Sequence, residues 1–456
     1  MPNSGESLKA MLEQTIKGNV KVAAVAILLL HVTILFFVIP RLSSAVAGAY
    51  IPKIFGDGYD QLAENLVKGN GYRFYPDTAL TLMREPGYPI LLAGLTMVFG
   101  TSFTVVKITN MIFAVATAWL VMLIGMRLMP VGLERYRFLF LIPPVLFLFH
   151  PGVVIAESRG GVEMLFAFLI TLLLLTILKA TESNNWRDYL ISGLVLGITV
   201  SVRSTPMLFP IPLFAYLMIV DRRHFSIVTA TRNLLVMVLA MMAVLSPWIT
   251  RNYFLTGKFI PTASVLGVSA QAGQYIGKHQ FEGRPFWLLD REAARERDRL
   301  ALNLGYPFED GMEGYYQTFY RTNDEINFSS YLFKRVVAEY RSSPMLFARC
   351  MTQNAFNFWF AGKTWKATAM NAMIQLPYLV LATLGSFKLI RGRSARLAGL
   401  VVLFVIYVMG VHVPILAQAR YSIPLISMIA ILASTGLASL LKRSEPGIVK
   451  ESPAAA

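Results

Sequence analysis

Asp57 and Asp60 stand three residues apart in the polar run Gly56-Asp57-Gly58-Tyr59-Asp60-Gln61. A carboxylate beside a cleft can take the proton from an acceptor hydroxyl or hold a cation. The plainer use of the same pair is to cap and solubilise a surface helix beginning near Asp57, where acidic side chains suit the N-terminal dipole. Residue type alone leaves both uses open. Further on, Glu157 and Glu163 flank Arg159. An ionisable side chain near a membrane boundary either snorkels to the surface or serves function, and glutamate is too short to snorkel far. Glu163, with Glu157, is therefore a candidate for positioning an acceptor or pairing with Arg159. Other chemistry is sparse. There is no His-Glu-x-x-His and no histidine pair at metal spacing, and the lone Cys350 rules out an intrachain disulfide or a cysteine zinc cluster. His412 lies in an apolar run and reads as a packed, hydrogen-bonded side chain; Lys107, inside another, receives no assignment.

The elements that must position these residues cross a membrane. Of 456 residues, 55% are apolar and 15% charged, against about 25% charged in an ordinary soluble chain. Apolar runs of about 20 residues, enough for a ~30 Å hydrocarbon layer, recur along the chain and imply a polytopic all-α protein. The net charge of +16 is spread over the links between apolar runs rather than gathered in one basic tract, so it reports membrane topology and not nucleic-acid binding. Val22 to Pro40 is longer than a signal-peptide core and reads as an uncleaved first span.

The decisive segment is Pro86 to Phe99, apolar but too short to cross. If it stays on one side, the second span is Phe103 to Met126, and eight more fit near Phe138 to Ala156, Val162 to Leu178, Tyr189 to Ser204, Met207 to Val220, Asn233 to Ile249, Ala367 to Ile390, Leu397 to Leu416 and Tyr421 to Leu441. Arg127, Arg135 and Arg137, then Lys179 and Arg187, then Arg222, Arg223 and Arg232, then Lys388, Arg391, Arg393 and Arg396, and finally Lys442 and Arg443, all fall on the side of the N-terminus. That agrees with the rule that basic short loops are cytoplasmic. The expected organisation is a cytoplasmic N-terminus (1–21), a transmembrane module (22–249) with a first outer loop (41–102), a long outer segment (250–366), C-terminal transmembrane helices (367–441) and a cytoplasmic tail (442–456). In the long outer segment, Asp290 to Leu302 has a charged helical pattern. Tyr331 to Trp359 alternates basic and aromatic residues with apolar ones, as a helix does that lies along the bilayer or covers the transmembrane body. Trp359 and Trp365 read as interfacial belt residues. The short basic loops leave no room for a nucleotide-binding domain, and no Gly-x-x-x-x-Gly-Lys-Ser/Thr occurs. Chemistry is therefore expected on the outer face.

The Asp57 segment, followed by Arg84-Glu85-Pro86-Gly87-Tyr88-Pro89-Ile90-Leu91-Leu92-Ala93, resembles bacterial GT-C glycosyltransferases related to protein O-mannosyltransferases and the lipid A aminoarabinose transferase. In order come His150-Pro151 with Glu163-Met164-Leu165-Phe166, Gly193-Leu194-Val195-Leu196-Gly197 with Arg203, Pro247-Trp248 with Arg251-Asn252-Tyr253 and Gly257-Lys258-Phe259-Ile260-Pro261, and Arg420-Tyr421-Ser422-Ile423-Pro424. The resemblance covers about residues 20 to 441. It implies a GT-C fold of about ten transmembrane helices and a multi-pass enzyme of the bacterial inner membrane, its site facing the periplasm. The donor it implies is a polyprenyl-phosphate-linked sugar, and the acceptor a glycan, lipid or protein. An aspartate of the first outer loop would act as base. Tyr59 follows Asp57 by two residues where relatives place a tyrosine about four after the aspartate, so the role falls on Asp57 or Asp60. Tyr59, Glu85, Glu163 and Arg159 would assist at the acceptor.

The leaving lipid phosphate would be held by arginine, which binds it bidentately. Arg84, Arg159, Arg203, Arg251 and Arg420 all fall at or near outer ends of spans, where a headgroup contact is the competing use of each. Arg203, in a mostly apolar run and followed by Ser204-Thr205-Pro206, and Arg420 are the foremost phosphate ligands, with Arg84 beside them. A divalent metal is possible but not expected. The alternative from a different class is a polytopic transporter or prenyl-lipid flippase. Transporters of that kind usually show repeated halves and mid-span ionisable residues, neither of which stands out here.

Overall fold

The computed structural model describes residues 19–39, 41, 57–128, 140–222, 224–280, 284–311, 316–392 and 394–443. Expectations resting on Arg135, Arg137, Arg223, Arg393 and most of the stretch between Arg41 and Asp57 lie outside them. Among the described residues six helices are long and apolar enough to cross a membrane: α4 (Phe103–Leu128), α7 (Glu163–Ser183), α10 (Ile227–Thr256), α15 (Trp365–Ile390), α16 (Ala395–His412), and the span Ala419–Ala438 that runs into α17 (Ile426–Arg443). Around them stand α1 (Asn19–Thr33, continued by a π-turn Ile34–Val38), α8 (Trp186–Val202) and α9 (Pro210–Ile219). The chain is an all-α, multi-pass membrane protein.

Small residues let these helices approach, as expected where lipid supplies no hydrophobic drive between them. A Cβ on Gly193 or Gly197 of α8 would meet the backbone carbonyls of Met237 or Met241 on α10, and one on Gly385 of α15 would fall on the carbonyl of Leu432 in α17. The Gly193-to-Gly197 motif is thus a packing seam.

Two expected elements are divided. The region read as one span from Phe138 to Ala156 contains α5 (Ile142–Leu148) and α6 (Pro151–Arg159), separated where His150 leaves helical geometry and accepts the Gly152 N–H on its Nδ1. Proline at position 151 starts the second helix and disfavours helical geometry at the residue before it. Likewise Tyr331 to Trp359 is two helices, α13 (Thr322–Ser342) and α14 (Pro344–Phe360), broken at Ser343, whose side chain caps the second through the Leu346 N–H. The short apolar segment after Pro86 forms α3 (Gly87–Phe99), about 20 Å long at 1.5 Å per residue and short of a bilayer. Its far end exposes Met97, Val98 and Phe99.

The long segment after α10 folds over one end of the bundle as α11 (Leu266–His279), α12 (Phe286–Asn303), a hairpin of β1 (Phe308–Gly311) and β2 (Tyr316–Phe319), then α13 and α14. Glu325 pins this cover to the first loop. Buried among them, its carboxylate accepts from Thr81 Oγ1 (2.6 Å), the Leu82 N–H (3.0 Å) and the Ser264 hydroxyl. Burial pushes the Glu325 carboxyl up from the usual glutamate range, against the pull of those donors. Two outcomes follow. Glu325→Ala orphans three buried donors and should lower stability by about 3 kcal/mol or more, visible as a drop in the detergent melting temperature. Glu325→Gln keeps one acceptor oxygen and the shape of the side chain and should fall less. Because an acid with a raised folded pKa contributes most below its unfolded value and loses that contribution as pH rises through the folded one, the melting temperature of the native chain relative to Glu325→Gln should be higher at pH 5 than at pH 8.

Candidate active site

Asp57 lies just before α2 (Tyr59–Val67). Gly58 between them takes φ 76°, a left-handed turn that glycine accepts without cost and that separates the aspartate from the helix it precedes. The helix-capping use therefore belongs to Asp60, in the first turn of α2. Asp60 Oδ1 is buried with no hydrogen-bond partner among the described residues, and burial raises its carboxyl.

Asp57 instead meets arginines from two distant parts of the chain. Arg420, in the 3-10 turn Ala419–Tyr421 ahead of α17, forks onto it, Nη1 to Oδ2 at 2.9 Å and Nη2 to Oδ1 at 3.1 Å. Arg84 puts Nη2 3.8 Å from Oδ1 and donates Nε–H to the Asp57 carbonyl at 3.2 Å. Burial alone would raise this carboxyl, but the Arg420 and Arg84 guanidiniums overcome it and hold Asp57 well below the usual carboxylate range, with Arg203 adding to the pull.

Arg203 ends α8 in extended geometry. Its guanidinium lies over two rings, 5.0 Å from the centre of Tyr421 and 5.6 Å from that of Phe166, and its buried Nη1 has no hydrogen-bond partner among the described residues. Arg420 packs over the same Tyr421 ring at 5.3 Å, with its Nε likewise buried and unpartnered. Two guanidiniums share one aromatic ring, and among the described residues Asp57 supplies the paired negative charge. Buried N–H groups without acceptors are costly, and an anion with several oxygens would satisfy both.

Glu163, at the start of α7, is 7% exposed and within electrostatic reach of Arg420 and Tyr88. Glu85 accepts the Ser204 N–H at 3.0 Å, next to Arg203, while Tyr72 OH donates to the Arg84 and Glu85 carbonyls at 3.1 and 3.0 Å. Glu85 thus fixes the backbone around the two arginines. Tyr59 stacks edge-on to Tyr88 at 5.2 Å, and Tyr88 OH donates to the Gly160 carbonyl at 2.6 Å. A Cβ on Gly87 would strike Val202 and the Ser201 carbonyl, so the Arg84-to-Pro89 motif seats the start of α3 against the end of α8.

Other candidates go elsewhere. Arg159 is exposed at the end of α6. Glu157 pairs with His31 of α1 at 2.9 Å, both fully buried, while Lys107 reaches the Leu35 carbonyl at 2.8 Å in the π-turn. These three join α1, α4 and α6 within the bundle. Arg251 is held by Asn252 and the Thr81 carbonyl over Trp248. His412 packs against Tyr421 with Nδ1 2.8 Å from the Val408 carbonyl, as its apolar setting implied. Sequence reasoning missed Tyr421, the shared platform, although it stands directly after Arg420; it also missed Asp290 of α12, which lies within electrostatic reach of Arg420 and Asp57 and whose charged-helix setting masked it. Among the described residues no three His, Cys, Asp or Glu side chains gather as a metal cluster.

Comparison with known proteins bears on this arrangement. Residues 84–250, which contain Arg84, Glu163 and Arg203, match the family model for dolichyl-phosphate-mannose-protein mannosyltransferase. No curated protein sequence matches the chain. Among solved structures, the oligosaccharyltransferase AglB from Archaeoglobus fulgidus, in complex with an inhibitory peptide and a dolichol-phosphate, matches with TM-score 0.55 at 13% identity over 94% of this chain. The apo form of the Archaeoglobus fulgidus enzyme matches with TM-score 0.56 at 14% identity, again over 94%. The chain spans about half the length of these proteins, 51% in each case. ArnT from Cupriavidus metallidurans, bound to undecaprenyl phosphate, aligns at 11% identity over 91% of this chain and 78% of its own, with TM-score 0.40. Residues 84–250 are accordingly similar to the dolichyl-phosphate-mannose-protein mannosyltransferase family, within a chain that shares the fold of the Archaeoglobus fulgidus oligosaccharyltransferase.

Proposed function

We propose that this chain transfers a sugar from a polyprenyl-phosphate-linked donor to an acceptor hydroxyl at the non-cytoplasmic face of a bacterial inner membrane, with both termini cytoplasmic. The observation that carries the reading is that Arg203 and Arg420 share the Tyr421 ring, each with one buried N–H unpartnered among the described residues, beside a carboxylate held by Arg420. Asp57 is the base, and Arg203 and Arg420, with Arg84 nearby, receive the donor phosphate. Asp57 takes the acceptor proton, the acceptor oxygen bonds to the anomeric carbon, and the carbon–oxygen bond to phosphate breaks with its electron pair leaving on the phosphate oxygen. Attack opposite the leaving group inverts the anomeric centre. Glu163 lines the acceptor side, and Glu85 and Tyr59 position the loop.

The pairing of Arg127 with Glu182, Lys179 with Asp188 and Arg396 with Asp221 supports gathering these links, expected to be cytoplasmic, on one face of the bundle. The family match and the dolichol-phosphate in the AglB complex support the class of donor. No observation favours the transporter alternative. The test is to incubate the purified full chain with a polyprenyl-phosphate sugar and extracted envelope acceptors, and to follow free polyprenyl phosphate and the anomeric configuration of the product. Release coupled to an inverted glycoside is expected; retention of configuration, or no transfer to any glycolipid, polysaccharide or protein fraction, overturns the proposal.

A further inference from the structure

We infer that Arg420 is a latch shared between the base and the donor: it holds Asp57 closed in the empty site and frees it only when the donor phosphate draws the guanidinium away. This rests on the proposed reading of Arg420 as a phosphate ligand and adds an order of events to it. Both oxygens of Asp57 are occupied by the Arg420 fork, at 2.9 and 3.1 Å. A carboxylate so engaged keeps free lone pairs but is a weak base, because the paired guanidinium favours its ionised form. Arg84, at 3.8 Å, makes a looser contact with the same carboxylate and can remain as a guide once Arg420 moves.

Arg420 is suited to change partners. It lies in a 3-10 turn rather than inside a long helix, its side chain is about one-third exposed (37%), and its Nε already lacks an acceptor. Tyr421 supports it from below, and Arg203 sits over the same ring. An arriving phosphate therefore meets Arg203, which has no carboxylate to give up among the described residues, and a short movement of Arg420 over Tyr421 completes a two-arginine clamp. With its strongest counter-charge gone, the buried Asp57 becomes a better proton acceptor.

The same movement resets the site. After transfer Asp57 carries the acceptor proton and the phosphate carries the electron pair of the broken bond. When the prenyl phosphate departs, Arg420 returns to Asp57 and favours the ionised carboxylate, so the proton passes to solvent. Donor must bind before a productive acceptor, and product phosphate must leave before the next cycle.

The latch competes with the donor, which gives a test independent of transfer. Binding of undecaprenyl phosphate to the purified chain in zwitterionic nanodiscs should be about tenfold tighter for Asp57→Asn than for the native protein, because the locked fraction no longer subtracts from affinity. Arg420→Gln should weaken binding, and in that background Asp57→Asn should change nothing. This double variant also removes both charges together, so it stays informative if Asp57→Asn alone melts early. If Arg420→Gln binds as tightly as the native chain, Arg420 is no phosphate ligand and the underlying reading fails with the latch. Weakening by Arg420→Gln without tightening by Asp57→Asn overturns the latch alone. Equal tightening in both backgrounds overturns it too, since Asp57 would then act only as a repelling charge.

Discussion

Asp57→Asn should lower the turnover of sugar transfer about 10³-fold, the range of a lost general base, while Asp60→Asn stays within about threefold of the native rate. The two aspartates are indistinguishable by type and three residues apart, and geometry separates them. Asp57 precedes the left-handed Gly58 and faces Arg420 and Arg84. Asp60 lies in the first turn of α2, where its loss removes a favourable dipole contact of about 0.3–1 kcal/mol and little else. Initial rates of polyprenyl-phosphate release at saturating donor give the comparison. The loss in Asp57→Asn should fall on turnover, with the donor KM unchanged or lowered, since asparagine keeps the shape of the site and releases the guanidinium. A collapse in Asp60→Asn with activity kept in Asp57→Asn would reverse the assignment.

How far the sequence leads follows from the range of each interaction. Helix existence and membrane insertion depend on local composition, so α4, α7, α10 and α15 stand near where hydropathy put them, and a short α3 was readable from its length. The breaks at His150 and Ser343 each sit beside a proline, at residues 151 and 344, and hydropathy windows average over a single such residue. The site is a different matter. Asp57 and Arg420 are 363 positions apart, and Arg203 lies between them in the chain; arginines at outer span ends could be gathered as candidates, but pairing is a property of packing. Sequence context set Arg203 ahead of Arg251, through its apolar run, but did not show the partners that each would meet. Arg203 ends α8 and Arg251 lies in the last turns of α10, yet Arg251 finds Asn252 and the Thr81 carbonyl while Arg203, among the described residues, packs over rings. Glu157 and Glu163 also part company, one turned to His31 inside the bundle and one toward Arg420, because the left-handed Gly160 between α6 and α7 redirects the chain.

That contrast supports the second large effect, at Arg203. Arg203→Ala should lower kcat/KM for the donor about 10²- to 10³-fold, as removal of a preorganised donor group at the site of developing charge does. It should leave stability near native, since Arg203 is a half-buried cation with a buried Nη1 and no ion pair among the described residues, and its removal relieves part of a desolvation cost. Arg203→Lys keeps the charge without the fork and should recover only part of the rate. Arg251→Ala gives the opposite pattern: it breaks the hydrogen bond to the Thr81 carbonyl that ties α10 to the first loop, so the melting temperature falls while the donor KM stays near native in the fraction that remains folded. Measuring melting temperature and donor kinetics on the same preparations separates the two arginines. A chain in which Arg203→Ala loses stability and keeps its donor kinetics would place Arg203 in the scaffold, and would leave Arg420 and Arg84 as the phosphate ligands.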